Sequence, residues 1–165
     1  MGPASGEAVT LAKALSIKNR LAGRLAQARA NVETYNSTPA GQRGEGSQAT
    51  VDVRAEFERH LALQEGLVVV KAAIQRANVP VYEDVLRLGE KKALLQMLNG
   101  LETKSGTEPG FGGVEYRFEA TIHKPEVLEM VRRIEGEIDA LQDGLNQFNA
   151  TTRVEIARAV LDLAR

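Results

Sequence analysis

The sequence predicts a mainly α-helical protein: an antiparallel four-helix bundle of two duplicated helical hairpins, with one β-strand or hairpin insertion and a short C-terminal helix. Apolar residues recur at steps of three and four over four long segments, one segment alternates with a period of two, and the halves of the chain align with each other. With 165 residues we expect one helical domain, in which hairpin one spans about 9–78 and hairpin two about 82–149.

The first helix is predicted over about residues 9–35. Its apolar side chains follow the three-and-four spacing of one helix face: Ala14, Ile17, Leu21, Leu25, Ala28, Val32 and Tyr35. The segment from Ser37 to Ser47 is rich in Gly, Ser and Pro and has no apolar anchor, so we expect a mobile surface loop there.

The second helix is predicted to be buried over a broad face. Its stripe consists of Val53, Phe57, His60, Leu63, Leu67, Val70, Ile74 and Ala77, which Leu61, Val68 and Ala72 widen. Asn78 followed by Pro80 is typical of a helix end, because the residue before a proline is pushed out of helical geometry.

The third and fourth helices complete the predicted bundle. The third runs over about 82–102. The fourth begins at Pro125, ends at Asn149 and carries a stripe with coiled-coil spacing: Val127, Val131, Ile134, Ile138, Leu141, Leu145 and Phe148. A capping box of Thr152 and Glu155 then predicts a C-terminal helix over about 152–164.

One segment, the insertion at about 111–122, has the period of a half-buried strand. Apolar and polar residues alternate from Val114 to Ile122. We find no partner strand of equal quality in the chain, so we expect strand 114–122 to pair with the same strand of a second molecule and to form a homo-oligomer. The alternative is a hairpin excursion that packs on its own chain.

The internal alignment supports a duplicated hairpin. A shift of 73 residues lays Leu15, Lys18 and Leu21 on Leu88, Lys91 and Leu94. A shift of 71 residues lays Ile74 and Asn78 on Leu145 and Asn149. Because one amphipathic hairpin cannot cover its own apolar side, two copies are expected to face each other.

Composition excludes several classes of function. The chain has 21 basic and 22 acidic residues, so no overall field attracts nucleic acid or an anionic membrane. It has no cysteine and therefore no disulfide or thiolate metal site. No membrane-length apolar run or signal peptide is recognisable, so we expect a cytoplasmic protein without a nucleic-acid or membrane partner and without a cofactor.

Catalytic residues stay unknown from the sequence, and candidate metal ligands are few. His60 follows Glu56 by one helical turn, a spacing at which two side chains can share a metal ion, but a core or interface histidine explains His60 better. The acidic residues of the fourth helix fit a solvated face: Glu126, Glu129, Glu135 and Asp139.

A second group of polar residues lies at the predicted helix ends. Arg76 and Asn78 end the second helix, and Asn149, Thr152 and Arg153 follow the fourth. The duplication would place these residues at the same end of the bundle, where amides and guanidinium groups could bind a small anion or a partner backbone. Helix capping is the simpler explanation for the Asn and Thr residues.

Four short motifs, spread over about residues 10–155, resemble those of a group of small bacterial helical proteins that sometimes carry the label septicolysin. The motifs are Thr10-Leu11-Ala12-Lys13-Ala14-Leu15, Ile74-Gln75-Arg76-Ala77-Asn78, Ala120-Thr121-Ile122 and Asn149-Ala150-Thr151-Thr152. The resemblance implies a helical bacterial protein, but no established reaction, cofactor or catalytic residue.

These observations favour a non-catalytic oligomeric helical scaffold or binding protein of unknown ligand. One alternative is a metal-dependent or nucleotide-processing enzyme whose site forms between subunits from His60 and the carboxylates of the fourth helix. Another is a subunit of a larger protein assembly.

Overall fold

The computed structural model describes residues 6–37 and 51–165. The protein is mainly helical, as predicted, with four long helices and a few short strands. The loop predicted between the first two helices lies outside the described residues from position 38 to position 50. Within the described ranges, none of the helices combines the length and the hydropathy needed to cross a lipid bilayer.

The elements follow one another along the chain in an order that alternates helices with short strands. They are β1 (Gly6–Thr10), α1 (Leu11–Tyr35), α2 (Val53–Asn78), α3 (Tyr82–Asn99), β2 (Gly106–Pro109), β3 (Glu115–Phe118), α4 (Lys124–Thr151), β4 (Arg153–Ala157) and α5 (Arg158–Leu163). Short 3-10 turns lie at Val79–Val81 and Phe111–Gly113. The chain divides into two compact units, one of Met1–Val79 with Phe148–Arg165 and one of Pro80–Gln147.

Side chains cap the first two helices at their N-termini. The Thr10 hydroxyl oxygen accepts a hydrogen bond from the backbone N–H of Lys13 at 3.2 Å. Asp52 accepts from the backbone N–H groups of Arg54 and Ala55 at 3.0 and 3.1 Å. These bonds satisfy donors that have no partner inside the helix, and so they set where each helix begins.

The core of the first unit lies between α1, α2, β4 and α5. Its buried apolar residues form one cluster: Val9, Leu11, Ala14, Ile17, Leu21, Ala28, Leu63, Leu67, Val70, Ala73, Ile74, Val154, Ile156, Val160, Leu161 and Ala164. Gly66 belongs to the same face, and a Cβ there would lie 3.3 Å from Leu163 Cδ1 and 3.6 Å from Val160 Cγ1. The glycine that weakens α2 locally therefore allows α5 to approach the helix closely.

Two strands that the sequence did not predict close this core. β1 and β4 pair antiparallel, with Val9 opposite Val154, and the backbone N–H of Leu11 donates to the Thr152 carbonyl at 2.8 Å. The predicted helix 152–164 is therefore wrong over its first half, and Thr152 and Glu155 do not form a capping box. The reason is tertiary: as a strand, β4 buries Val154 and Ile156 on one face while its backbone bonds to β1.

The face that α2 buries is narrower than the sequence predicts. Leu63, Leu67, Val70 and Ile74 are buried as expected, but Phe57 is exposed, and so are the two large residues predicted to widen the stripe, Leu61 and Val68. α2 therefore carries apolar side chains on two sides, and the core of its own unit covers one of them.

The second unit is a helical hairpin with a small core. Leu98 of α3 is buried with Val127 and Ile134 of α4, and Leu95, Leu101, Met130, Val131 and Ile138 pack around them. The heptad stripe of α4 is confirmed, since all its members are buried or half-buried. The helix continues past Asn149 to Thr151. The four-helix bundle is not confirmed, because each hairpin buries its apolar stripe in a cluster of its own.

Two adjacent valines of α2 test the assignment of its buried face. Val70 is fully buried, whereas Val69 is 36% exposed. We expect Val70→Ala to lower the free energy of unfolding by about 2–3 kcal/mol, because it removes buried methyl groups and leaves a cavity. Val69→Ala should change it by less than about 1 kcal/mol, since alanine has the higher helix propensity. Urea unfolding followed by circular dichroism measures both, and equal losses would contradict the assignment.

Candidate functional site

A two-stranded β-ribbon lies between α3 and α4 in the second unit, at the position of the predicted insertion. β2 and β3 pair antiparallel, with Gly106 opposite Phe118 and Pro109 opposite Glu115. The strand predicted over residues 114–122 is shorter in the structure, where β3 spans Glu115–Phe118. β3 therefore has a partner strand within its own chain, as in the hairpin that was the alternative prediction for this segment.

Glycines shape the turn of the ribbon. Gly112 and Gly113 have φ angles of 75° and 79°, a region that favours glycine. The N–H of Gly110 donates to the Val114 carbonyl at 2.6 Å. The ring of Tyr116 covers Gly110 so closely that a Cβ at Gly110 would overlap the ring. The turn and the first aromatic residue of β3 therefore fit each other only with glycine at position 110.

The ribbon exposes large apolar side chains. Phe111, at the tip, is 100% exposed, and Val114, Tyr116 and Phe118 are each exposed to about half or slightly less. The last three alternate along the strand, so they share one side of the ribbon. Contiguous exposed apolar surface of this kind marks interaction sites in proteins.

The base of the ribbon is held by polar contacts. The Ser105 hydroxyl oxygen accepts a hydrogen bond from the Ala120 N–H at 3.1 Å. The ammonium of Lys104 lies 4.3 Å from the ring centroid of Phe118 and also pairs with the Glu108 carboxylate. These contacts hold the ribbon to its own base and leave the aromatic side exposed.

The two outer edges of the ribbon differ in their backbone donors. The sheet has only two strands in the described chain, so each strand has one edge without a partner strand. Gly110 bonds to Val114, and hydrogen-bonded and non-bonded pairs alternate along an antiparallel ladder, so the N–H groups of Glu115 and Arg117 point away from β2. On β2 the corresponding position opposite Glu115 is Pro109, which has no N–H. The edge of β3 is therefore the better template for a further strand.

An ion pair joins the two helices that carry the ribbon. The Lys91 ammonium of α3 donates a hydrogen bond to the Glu137 carboxylate of α4. This hydrogen bond is the main cause that lowers the pKa of Glu137 below its ordinary value, and the charges of Lys91 and Arg133 act in the same direction. The contact fixes the pairing of α3 with α4 beside their small apolar core.

The residues predicted to contact a small ligand or partner all lie in the first unit. Arg76 is exposed and Asn78 is the last residue of α2. Asn149 lies in the last turn of α4, Thr152 lies between α4 and β4, and Arg153 is the first residue of β4. In the described part of the chain, no side-chain hydrogen bond or ion pair joins these five residues to one another. Their predicted role as a contact site stays a prediction.

Glu56, the residue paired with His60 in the predicted metal site, is hydrogen-bonded to other side chains. Both Glu56 oxygens have other partners: one accepts from Asn31 Nδ2 at 3.1 Å and the other from Arg59 at 3.3 Å. The half-buried His60 leaves its Nδ1 atom buried without a hydrogen-bond partner. Over residues 6–37 and 51–165, no three His, Asp or Glu side chains lie close enough together to hold a metal ion.

Comparison with family models, with curated proteins and with solved structures finds no significant match to this chain. The feature that sequence reasoning missed here is β2, the partner strand of β3 within the chain. The Gly-rich turn before Val114 was the available signal for a hairpin.

Gly110 provides a test of the ribbon geometry. We expect Gly110→Ala to disrupt β2–β3 pairing, because its Cβ would overlap Tyr116 and lie 2.9 Å from the Val114 carbonyl oxygen. Faster amide hydrogen exchange at Tyr116 and Phe118 would report the loss. The matched control is Gly136→Ala in α4, where the new Cβ would have no atom within 4 Å. This replacement should stabilise the helix by up to about 1 kcal/mol, because alanine has the higher helix propensity. Unchanged exchange in Gly110→Ala would contradict this geometry.

The Lys91–Glu137 pair predicts a dependence of stability on pH. A lowered folded-state pKa adds stability above the unfolded pKa of the carboxyl, and this contribution is lost as the pH falls through the folded pKa. In Lys91→Met we expect the pKa of Glu137 to rise toward its ordinary value and this loss to disappear. Carboxyl titration by NMR measures the shift, and Lys92→Met should leave it unchanged. An unaltered pKa in Lys91→Met would show that the pair does not form.

Proposed function

We propose that this protein is a non-catalytic helical scaffold that assembles with copies of itself through the edge of β3. The observation that carries the proposal is the combination, on one strand, of an apolar side and an outer edge with free backbone donors. The sequence analysis predicted self-association through strand 114–122. Because β2 pairs with one edge of β3, the proposal now names the opposite edge as the one that pairs with a second copy.

The small core of the second unit supports self-association. Only Leu98, Val127 and Ile134 form its buried cluster, while the ribbon exposes Phe111 and the aromatic residues of β3. An isolated two-stranded ribbon is marginally stable in water, and three or more strands with an apolar face are more stable. A second ribbon would supply these strands and cover part of the apolar side.

Twofold symmetry suits the edge of β3. When β3 pairs with β3 of a second copy, each supplies the same donors and acceptors to the other, and two ribbons form one four-stranded antiparallel sheet. The strands carry little charge to oppose this: Glu115 and Arg117 have opposite signs, and Glu108 is already paired with Lys104. The four-helix bundle and the resemblance to septicolysin-labelled proteins stay predictions beside this proposal.

One substitution tests the outer edge of β3 without changing the hydrogen bonds between β3 and β2. Arg117→Pro removes an outward N–H and leaves the bonds to β2 in place, so we expect the intact protein to be an oligomer and the variant to shift toward the monomer mass. Arg117→Gln removes the charge, keeps the N–H and should behave as the parent. Light scattering over a range of protein concentrations measures all three.

A parent protein that is monomeric at every concentration would overturn the proposed function. So would an Arg117→Pro variant with the parent's mass and an intact ribbon by amide exchange, since the edge of β3 would then have no part in assembly.

A further inference from the structure

The segment Val114–Phe118, which contains β3, is complementary to itself in an antiparallel pair. Its residues are in turn apolar, acidic, aromatic, basic and apolar, and Tyr116 is the middle one. When two copies pair antiparallel about Tyr116, each residue lies opposite the residue at the same distance on the other side of the middle. Glu115 then lies opposite Arg117 of the second copy, and Val114 lies opposite Phe118 of the second copy.

The backbone of β3 suits this alignment. Residues form hydrogen-bonded pairs across an outer edge only where their N–H and C=O groups point outward, and on β3 these residues are Glu115 and Arg117. In a pair centred on Tyr116, each Glu115 exchanges two hydrogen bonds with Arg117 of the other copy. The two Tyr116 residues form the closer, non-hydrogen-bonded pair on the twofold axis. Both outward donors of β3 are thus used within the strand.

The charges of β3 select this register over its neighbours. A pair centred on Glu115 places two carboxylates directly opposite each other, and a pair centred on Arg117 does the same with two guanidinium groups. In a sheet, opposite charges in facing positions are stabilising and like charges are destabilising. Neither Glu115 nor Arg117 forms an ion pair with another described residue, so both charges are available to a second molecule.

The same register joins the apolar sides of the two ribbons. A twofold axis perpendicular to the sheet keeps both apolar sides on one face, where the exposed side chains of Val114 and Phe118 lie opposite each other and two Tyr116 rings meet. Cross-strand pairs of aromatic and β-branched residues stabilise a sheet. The outermost strands of the joined sheet are then the two β2 strands, in which Pro109 lacks an N–H. Growth through this edge therefore ends at two copies.

We infer that the assembly is a twofold dimer with Tyr116 on its axis, in which the Glu115 carboxylate of each copy pairs with the Arg117 guanidinium of the other. The inference rests on the proposed function and adds to it the register of the contact and the residues that make the contact specific for a second copy of this chain. Another strand would fit this edge equally well only if it carried apolar, acidic, aromatic and basic residues in the same order.

Exchanging the two charges tests the register. The double variant Glu115→Arg with Arg117→Glu keeps opposite charges face to face in its own dimer, whereas a mixed dimer with the parent places like charges opposite each other. We expect the mixed dimer to be about tenfold rarer than random association gives. In a register centred on Glu115 or on Arg117, the mixed dimer would exceed the random amount, because unlike charges would then meet. Native mass spectrometry of the full-length proteins, one enlarged by a tag, measures the three dimers.

The single charge reversals are the matched controls. Glu115→Arg and Arg117→Glu each give the strand two like charges, so each variant should dimerise about tenfold more weakly than the parent. Their mixture should recover the parent's affinity, because opposite charges face each other again. Arg117→Gln should stay close to the parent, since an exposed ion pair adds little attraction. Sedimentation measures the dissociation constants, and amide exchange at Tyr116 and Phe118 verifies that each ribbon is folded.

Single cysteines locate the axis directly, because the chain has no cysteine of its own. In this register Tyr116→Cys places a thiol opposite the same thiol of the second copy, with Cβ atoms about 5 Å apart. The thiols of Glu115→Cys and of Arg117→Cys lie about 7–8 Å from their own copies, which is too far for an unstrained disulfide. We expect Tyr116→Cys to oxidise to a linked dimer roughly tenfold faster than either of them.

The outcomes separate this inference from the proposed function. A parent protein that is monomeric at every concentration overturns both. An oligomer that Arg117→Pro disrupts, but in which mixed dimers equal or exceed the random amount, overturns the register alone and keeps the edge of β3 as the contact. Faster cross-linking of Glu115→Cys or of Arg117→Cys than of Tyr116→Cys also overturns the register alone.

Discussion

The pairing of β1 with β4 is the constraint on which the first unit depends. It places Val9 opposite Val154 across nearly the whole length of the chain, and closing so long a loop costs conformational entropy. The ladder is stable because burial accompanies it: Val9, Val154 and Ile156 enter the same cluster as the inner faces of α1 and α2. Strand pairing and apolar packing therefore support each other, and neither strand would be expected to form alone.

The second unit is built on a different balance. In chain order it is an insertion, since residues before and after it belong to the first unit. Among the described residues, its buried cluster has three members and that of the first unit has sixteen, so less of its apolar surface is covered. The Lys91–Glu137 pair and the polar contacts at the base of the ribbon hold its parts in register. The unit presents a ribbon with an apolar side and an open strand edge, both suited to contact with another protein surface.

Sequence periodicity located the helices closely because apolar residues recur at steps of three and four in each, although in α3 only Leu98 is buried. It assigned Phe57 and Leu61 to the core because spacing alone cannot tell a broad buried face from two separate apolar sides. It placed β3 correctly from the alternation around Tyr116, but missed β2, in which Gly106 and Pro109 disfavour a strand by intrinsic preference. The sequence thus predicted half of the candidate site. It predicted β3 but not β2, which pairs with one edge of β3 and leaves the other edge open.

Local pattern determined the four long helices and the strand near Tyr116, because each depends on residues close together in the sequence. Tertiary structure decided that residues 153–157 form a strand and not a helix turn, and which side of α2 is covered. The physical reason is that both outcomes depend on what lies opposite: β1 supplies the ladder for β4, and α1 and α5 cover one side of α2. No pattern within a single segment contains that information.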